Sequence, residues 1–352
     1  MKTIKTIQKL IILFITFTIL SCNKDNPEPL IPEKYDDGIF ITCEGNFNSA
    51  NGSLSFISDN GVVENNIFNS ANGFPLGDVV QSITIIDTIA YIVVNNSGKI
   101  VVADAGTMEY ISEISVTTPD HMTAISNDVA YVSDWNAFLD NGFVHVIDLK
   151  SNEITNSIQV GHQPGEILYS NGYVFVIESG VWPNAGNSIS VINVESETVV
   201  ENIIVATNPI NMALNENVLW VLSKGETGYD ESWQEISVTP GSLTSINTTS
   251  LQVNNVIELH EGKIPRGLVC NDNLLYFRNG QSIFSQSADA FELNAIEIIT
   301  GNFNNEIIYY DDHIYSAYVP SYDQSGEVYK FSSNGVLENT FQVGIAPGNF
   351  GF

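Results

Sequence analysis

Positive charge is scarce in this sequence. Only 12 of the 352 residues are lysine or arginine, against 41 aspartates and glutamates, and the formal net charge at pH 7 is −29. Proteins that bind nucleic acids need a basic surface that displaces counterions from phosphates. The composition therefore argues against a nucleic-acid partner. The acidity favours solubility and could attract cationic ligands, but charge alone identifies no ligand.

Cysteine is also rare, with three in the whole chain. Cys22 lies near the N-terminus, whereas Cys43 and Cys270 lie in widely separated repeats of the pattern described below. A disulfide requires Cα atoms within about 7 Å of each other. We therefore expect Cys43 and Cys270 to be free thiols that pack as small hydrophobic side chains.

Recognisable catalytic and metal-binding motifs are missing. The sequence has no HExxH motif, no GxSxG motif, no glycine-rich phosphate loop and no spaced calcium loop. The five histidines are dispersed over different predicted strands and loops: His121, His145, His162, His260 and His313. We therefore predict no catalytic residue, no metal and no cofactor, and interpret the protein as not being an enzyme. Glu166 and Glu306 stay open as an acid/base pair, because the sequence does not give their separation.

The sequence does contain a short segment that occurs seven times. In each copy a small residue, often glycine, opens an alternating strand that closes on Asp, Asn or Ser. The copies span residues 52–58, 98–104, 142–148, 187–193, 241–247, 281–287 and 326–332. Consecutive copies end 40 to 54 positions apart, with only strand signals between them. A period near 45 predicts an all-β, seven-bladed β-propeller with four-stranded antiparallel blades.

Two further landmarks order the strands within a repeat. An aromatic strand, which follows a turn of Asn, Asp or Gly, precedes each repeated segment; its landmark residues are Phe40, Tyr91, Tyr131, Phe175, Trp220, Tyr276 and Tyr315. Proline opens several of the strands before that one, at Pro164, Pro209, Pro265 and Pro347, and proline is tolerated at the first residue of a strand. The predicted order in each blade is inner strand, aromatic strand, Gly-opened strand and outer strand.

The two ends of the propeller region hold complementary parts of one repeat. Residues 38–43 have the pattern of an aromatic strand with no inner strand before it, and residues 347–352 have the pattern of an inner strand with nothing after it. We expect one domain over residues 38–352, closed by a blade that both ends share, because closure removes exposed sheet edges.

The N-terminal segment has the features of an export signal. Residues 1–21 combine a basic start with a short apolar run, as signal peptides do. Ser21 before Cys22 resembles a bacterial lipobox, which implies cleavage before Cys22, lipidation of Cys22 and a membrane anchor. Residues 22–37 are polar and proline-containing, so we expect a flexible tether. A partial export tag at Lys24 and Asp25 favours outer-membrane anchoring with cell-surface exposure; a soluble periplasmic protein is the alternative.

The loops between the aromatic strand and the Gly-opened strand vary in length and contain three of the four tryptophans. Aromatic anchors beside polar groups are typical of a recognition surface. The alternative is that each ring packs on its own loop. The candidate ligand-binding residues in and beside these loops are Phe47, Trp135, Phe138, Trp182, Tyr229, Trp233, Arg278, Tyr318 and Tyr322.

Polar residues near the start of the inner strands add a ring around the predicted central channel. The candidate ligand-binding residues of this ring are Gln81, His121, Glu166, Asn211 and Glu306. Arg266 and Asn349 occupy equivalent positions. Amides and carboxylates in such a ring could bind a donor-rich ligand or order water in the channel.

With these features, the chain resembles the YncE-like propellers and, more closely, the surface propeller lipoproteins of Gram-negative gut and marine bacteria. The resemblance rests on the Pro-opened, aromatic and Gly-opened strands and on the Asn-Gly turn. Some relatives are described as cobalamin-capturing lipoproteins over a TonB-dependent transporter. The resemblance implies capture of a small molecule, with cobalamin as the best single choice, for delivery to a TonB-dependent outer-membrane transporter. A polysaccharide-acting hydrolase or lyase and a protein-interaction scaffold are the alternatives.

Overall fold

The fold is a seven-bladed β-propeller, as the repeat predicts. A computed structural model of the protein describes residues 34–139, 141–181, 184–301 and 304–352. They contain seven four-stranded antiparallel sheets. In six of them the strands follow chain order from the innermost to the outermost position, whereas in the seventh the last strand of the chain is innermost and pairs with the first. The predicted signal peptide, the lipidation site Cys22 and residues 22–33 of the predicted tether lie outside the described residues.

The blades are numbered along the chain. Blade 1 contains β1 (Gly38–Cys43), β2 (Ser53–Ser58), β3 (Val63–Glu64) and the last strand of the chain, β30 (Pro347–Gly351). Blade 2 contains β4 (Val80–Ile86), β5 (Ile89–Val94), β6 (Lys99–Asp104) and β7 (Tyr110–Ser115). Blade 3 contains β8 (Pro119–Ala124), β9 (Val129–Asp134), β10 (Phe143–Asp148) and β11 (Glu153–Gln159). Blade 4 contains β12 (Pro164–Ser170), β13 (Tyr173–Val181), β14 (Asn184–Asn193) and β15 (Thr198–Ile204).

The remaining blades follow the same order. Blade 5 contains β16 (Pro209–Asn215), β17 (Val218–Ser223), β20 (Ser242–Asn247) and β21 (Gln252–Glu258), with a separate hairpin of β18 (Thr227–Tyr229) and β19 (Glu235–Ser237) between its second and third strands. Blade 6 contains β22 (Pro265–Asn271), β23 (Leu274–Asn279), β24 (Ser282–Ser287) and β25 (Ile296–Thr300). Blade 7 contains β26 (Ile307–Tyr310), β27 (His313–Tyr318), β28 (Ser325–Ser332) and β29 (Leu337–Ile345). Short helical segments are α1 (Ile67–Asn72) and a 3₁₀ turn at Asn136–Phe138.

Both ends of the propeller share blade 1. Strand β1 pairs with β2 on one side and with β30 on the other, with Phe40 opposite Gly351 and Ile41 opposite Phe350. Side chains of β1 and β30 pack with Tyr315 and Val328 of blade 7 in one buried cluster. The hydrogen bonds and the apolar packing together close the ring, which removes the open edges that an unclosed sheet would present.

The glycine and proline of the repeat form a steric pair between neighbouring blades. Gly142 opens β10 of blade 3 and lies against the ring of Pro164, which opens β12 of blade 4. Gly326 of blade 7 lies against Pro347 of blade 1 in the same way. A Cβ at either glycine would overlap the proline ring. The two landmarks therefore recur together because each blade packs against the next at this point.

The middle strands are buried on both faces because blades pack face to face. The four central residues of β6 are all buried, whereas β11 at the outer edge alternates between exposed and half-buried positions until Ile158. The turn between β12 and β13 has positive φ at both Asn171 and Gly172 (52° and 80°), as a tight hairpin requires. The local pattern thus sets the hairpins, and contact between blades forms the core.

The four described residues at the end of the predicted tether, 34–37, begin the contacts with the propeller. The backbone N–H groups of Lys34 and Tyr35 donate to the carbonyl of Gly106 over 2.8 and 3.1 Å. Tyr35 is 5% exposed, and its ring packs edge-on against Phe40 and Phe56. Within the described part of the chain, no helix has the length and apolar character needed to cross a membrane.

Candidate functional site

A cavity of about 440 Å³ lies at the mouth of the central channel. It forms where the inner strands begin, because seven strand starts converge there. All five candidate residues of the predicted polar ring line it: Gln81, His121, Glu166, Asn211 and Glu306. Trp135, from the loop after β9, is the aromatic candidate in the same lining. Polar groups from several blades therefore meet one aromatic side chain.

Asn211 joins two half-buried glutamates of this cavity. Its Nδ2 lies 3.4 Å from Oε2 of Glu166 and 3.2 Å from Oε2 of Glu306. Glu166 also accepts the backbone N–H of Met212 over 2.8 Å. Burial raises the pKa of Glu166 to about 7, against the opposing effect of His121. Burial also raises the pKa of Glu306, against the opposing charge of Arg266. Glu166 can therefore exchange a proton near neutral pH.

His121 is held between a carboxylate and an amide. Its Nδ1 lies 2.8 Å from Oδ2 of the buried Asp120, and its Nε2 lies 2.9 Å from Nδ2 of Asn349. Burial by itself lowers the pKa of His121, but the charge and hydrogen bond of Asp120 outweigh burial and raise it to about 9. The charge of Asp120 therefore favours the protonated form of His121, whereas the amide nitrogen of Asn349 can donate only to an unprotonated Nε2.

Sequence reasoning missed Glu44 as a member of this site. Glu44 follows β1 directly and lines the cavity, and its backbone N–H donates to the carbonyl of Ala346 over 3.0 Å. Burial and the nearby charge of Asp120 raise the pKa of Glu44 to about 7. The available signal was its position at the end of the aromatic strand of blade 1, where the two chain ends meet.

A second cavity of about 260 Å³ adjoins the first, and the two share Gln163 and Ser179 in their linings. Tyr229 of the β18–β19 hairpin lines it and is 51% exposed. The ring of Trp233 lies 6.2 Å from that of Tyr229 and is 79% exposed. These two candidates therefore form an aromatic pair beside the channel mouth.

The remaining candidates lie in other surroundings. Phe47 and Tyr322 are 68% and 66% exposed on their loops. The Tyr318 ring packs near that of Tyr329, in strand β28, at 6.3 Å. Arg278 is buried within β23, and its Nη1 donates to the carbonyl of Gly280 over 2.6 Å. The side chain of Phe138 and the whole of Trp182 lie outside the described residues.

Outside the channel, three side chains of blade 3 form a hydrogen-bonded chain. Nε2 of His145 lies 3.0 Å from Oδ2 of Asp134, and Nδ1 of His145 lies 2.8 Å from Oγ of the exposed Ser157. Burial alone would raise the pKa of Asp134, but the hydrogen bonds from His145 and from the backbone of Asn136 and Thr118 lower it overall. Among the described residues, no group of three or more His, Cys, Asp or Glu side chains is placed to hold a metal ion.

Comparison with known proteins agrees with this architecture. A model of the family DUF5074, described as a domain of unknown function, matches residues 37–225, more than half of the chain. No curated protein sequence matches the chain significantly. Among solved structures, a quinoprotein alcohol dehydrogenase-like protein from Bacteroides thetaiotaomicron is similar with a TM-score of 0.65 and 14% identity, over 91% of this chain and 78% of that one.

Two further solved structures are similar in fold. The periplasmic gluconolactonase of Pseudomonas aeruginosa gives a TM-score of 0.61 at 10% identity, over 89% of this chain and 98% of its own. The Kuenenia stuttgartiensis hydrazine synthase gives 0.56 at 14% identity, over 86% of this chain and 96% of its own. Identities this low show a common fold alone. The finer resemblance to YncE-like and cobalamin-capturing propellers stays a prediction.

The prediction that the protein is not an enzyme is wrong as an inference from the sequence. Propellers of the same fold include a gluconolactonase. The dispersal of the histidines, on which that prediction rested, does not exclude acid/base groups, since His121 and His145 each lie against a buried aspartate. The fold and the channel mouth are therefore compatible with acid/base chemistry as well as with binding.

Proposed function

The chain belongs to the DUF5074 family, and we propose that it binds a small polar molecule at the mouth of its central channel. The observation that carries this proposal is the cavity of about 440 Å³, in which side chains of several blades converge. Ligand sites combine a concave shape with a few placed polar groups. Here Glu166, Asn211 and Glu306 offer acceptors and an amide, and Trp135 offers an apolar surface.

The surroundings of the cavity favour a hydroxyl- or amide-bearing ligand. A carboxyl with a pKa near 7 can donate or accept a hydrogen bond, and Glu44 and Glu166 are two such groups. The aromatic pair Tyr229 and Trp233 extends the surface beyond the cavity. Cobalamin, suggested by the family resemblance, is larger than the cavity, so only its peripheral amides would enter while the ring system rests on the rim.

The cellular part of the proposal is capture at the outer membrane. In this view the lipid on Cys22 anchors the propeller, and the bound molecule passes to a TonB-dependent transporter. The support is the lipobox-like sequence before Cys22 and the resemblance to surface propeller lipoproteins. Copurification of a transporter with the lipidated protein, but not with a Cys22→Ala variant, is the expected result.

Calorimetric titration of residues 23–352 tests binding directly. Cobalamin and a set of mono- and oligosaccharides serve as ligands, with Asn211→Ala as the site variant and Asn127→Ala as the control. Asn127 lies in the exposed turn between β8 and β9, at the other end of its strands from the cavity. We expect binding that Asn211→Ala weakens and Asn127→Ala leaves unchanged. If both variants lost binding equally, or if both kept the affinity of the wild type, the result would contradict binding at this cavity.

A second candidate function, acid/base hydrolysis of a saccharide, has one specific observation in its favour. Glu166 and Glu306 approach the same amide of Asn211 from two blades, and burial raises the pKa of both. Enzymes that cleave glycosidic bonds use a pair of carboxyl groups, one of which must be protonated. Turnover of chromogenic glycosides that Glu166→Gln and Glu306→Gln each abolish would support this function. Tight binding without turnover would favour capture.

A further inference from the structure

Both arginines of this acidic chain lie on adjacent strands of blade 6, and Arg266 lines the cavity at the channel mouth. Arg266 on β22 and Arg278 on β23 are directly opposite each other in the antiparallel register. Lys224, at the end of β17 in the neighbouring blade, completes a group of three cations and is 9% exposed. Three of the 12 basic residues in a chain with a net charge of −29 therefore lie together.

A single carboxylate bridges two of these cations. Oε1 of Glu235 lies 2.7 Å from Nζ of Lys224, and Oε2 of Glu235 lies 3.1 Å from Nη2 of Arg266. Burial alone would raise the pKa of Glu235, but Lys224 and Arg266 lower it, so this carboxyl is ionised. The two oxygens of one carboxylate thus fill a position between an ammonium and a guanidinium, which is favourable geometry for carboxylate recognition.

The three cations repel one another. Burial, followed by the charge of Arg266, lowers the pKa of Lys224, and the same two causes lower that of Arg278 to about 10. Glu306 attracts both arginines, but burial raises its own pKa. A ligand carboxylate at this point would meet the positive charges of Lys224 and Arg266, which the Glu235 carboxylate now bridges.

The bridging carboxylate comes from a small separate hairpin. Strands β18 and β19 form a two-stranded sheet of three residues each, outside the four strands of blade 5. Lys224 and Glu235 line the smaller cavity, and Arg266 lines the larger one. A carboxylate in the place of Glu235 would therefore contact one cation from the lining of each cavity.

We propose that Lys224 and Arg266 bind the carboxylate of a small acidic, hydroxyl-rich ligand, and that Glu235 holds this position until the ligand displaces it. This inference rests on the proposed function and names the ligand class as a sugar acid or a related hydroxy acid. Glu235 itself favours a carboxylate over a phosphate, because it shows that a planar two-oxygen group fits between the two cations.

The first test is chemical rescue, which needs no knowledge of the natural ligand. Glu235→Ala leaves the two cations without their carboxylate, so sodium acetate should raise the melting temperature of this variant above its value in sodium chloride of equal ionic strength. Wild type and Glu231→Ala, which removes an exposed carboxylate of the same hairpin, should respond equally to both salts. An equal response of Glu235→Ala to acetate and chloride would overturn the carboxylate site, as would a response that survives in Glu235→Ala/Lys224→Met.

The second test uses glucuronate and gluconate against neutral glucose in calorimetric titrations. Hydrogen bonds to charged groups are strong enough that the acids should bind wild type about tenfold or more tightly than glucose. Glu235→Gln should strengthen acid binding several-fold, and Lys224→Met should remove the preference. Binding of glucose equal to that of the acids would overturn the inference. If acetate rescue holds but neither acid nor glucose binds, the proposed channel function fails while the carboxylate site stands.

Discussion

Nδ2 of Asn211 lies 3.2 Å from Oε2 of Glu306, and this hydrogen bond joins two blades in the lining of the cavity. Asn211 belongs to the inner strand of blade 5, whereas Glu306 precedes the inner strand of blade 7. The Oδ1 atom of Asn211 accepts the backbone N–H of Gly267 in blade 6 over 2.9 Å. Since the same amide also contacts Glu166 of blade 4, it links four consecutive blades, 4 to 7, at the point where the cavity lies. The charged groups of the cavity are held by a polar network that is part of the scaffold.

The stability of the propeller should fall as the pH rises from about 4.5 to 9. The folded pKa of Glu44 and of Glu166 is about 7, against an ordinary 4.5, and that of His121 is about 9, against 6.5. A group whose pKa is raised by folding stabilises below its unfolded pKa and loses that contribution as the pH passes its folded pKa. Each group contributes a slope of up to about 1.4 kcal/mol per pH unit in its window.

Denaturant unfolding across this pH range provides the measurement. Glu166→Gln should flatten the profile between pH 4.5 and 7, and His121→Gln should flatten it between pH 6.5 and 9. Unchanged slopes in both variants would show that these groups do not titrate as the folded environment implies.

The contact between Gly326 and Pro347 should be sensitive to one added methyl group. Gly326→Ala would press a Cβ into the proline ring that opens β30, at the closure of the ring. Overpacking of this kind costs about 1–3 kcal/mol. Gly165→Ala is the matched control, since a Cβ there has its nearest neighbour at 3.6 Å. Urea denaturation should show a lower free energy of unfolding for Gly326→Ala only; equal values in the two variants would contradict the steric pairing.

Trp135 should contribute more to binding than Trp233. Trp135 lines the main cavity, whereas Trp233 is 79% exposed beside it. Removal of an aromatic anchor in a desolvated pocket costs about 2 kcal/mol or more, which is roughly thirtyfold in affinity. Titration with whichever ligand binds wild type should therefore show a much larger loss for Trp135→Ala than for Trp233→Ala. A larger loss of affinity for Trp233→Ala would indicate that the ligand binds at the β18–β19 hairpin and not in the channel cavity.

Cys22→Ala should release the protein from membranes. The resemblance to a lipobox assigns all lipid chains to this residue, and each buried methylene contributes about 0.8 kcal/mol to anchoring. Fractionation of cells that express the full chain provides the measurement, with the wild type as the control. A variant that still sediments with membranes after a salt wash would contradict lipid anchoring through Cys22.

The sequence alone determined the architecture, because local chemistry repeats with the blades. Glycine, proline and aromatic landmarks recur about every 45 residues, and the glycine and proline of consecutive repeats meet where one blade packs against the next. The ring closure followed from complementary partial repeats at residues 38–43 and 347–352. The sequence also located five cavity residues, because the first residues of inner strands must converge in any propeller.

Only the tertiary structure decided which side chains meet. Glu44 enters the cavity because the two chain ends share a blade, and Glu235 reaches Arg266 because the β18–β19 hairpin places it there. His145 contacts Asp134 and Ser157 through the strand register, and a shift of one residue would have moved it to the other face. Dispersed histidines therefore suggested no catalytic chemistry in the sequence, although folding brings two of them against carboxylates. The physical reason is that long-range pairing, and not local preference, sets the distances on which binding and acid/base chemistry depend.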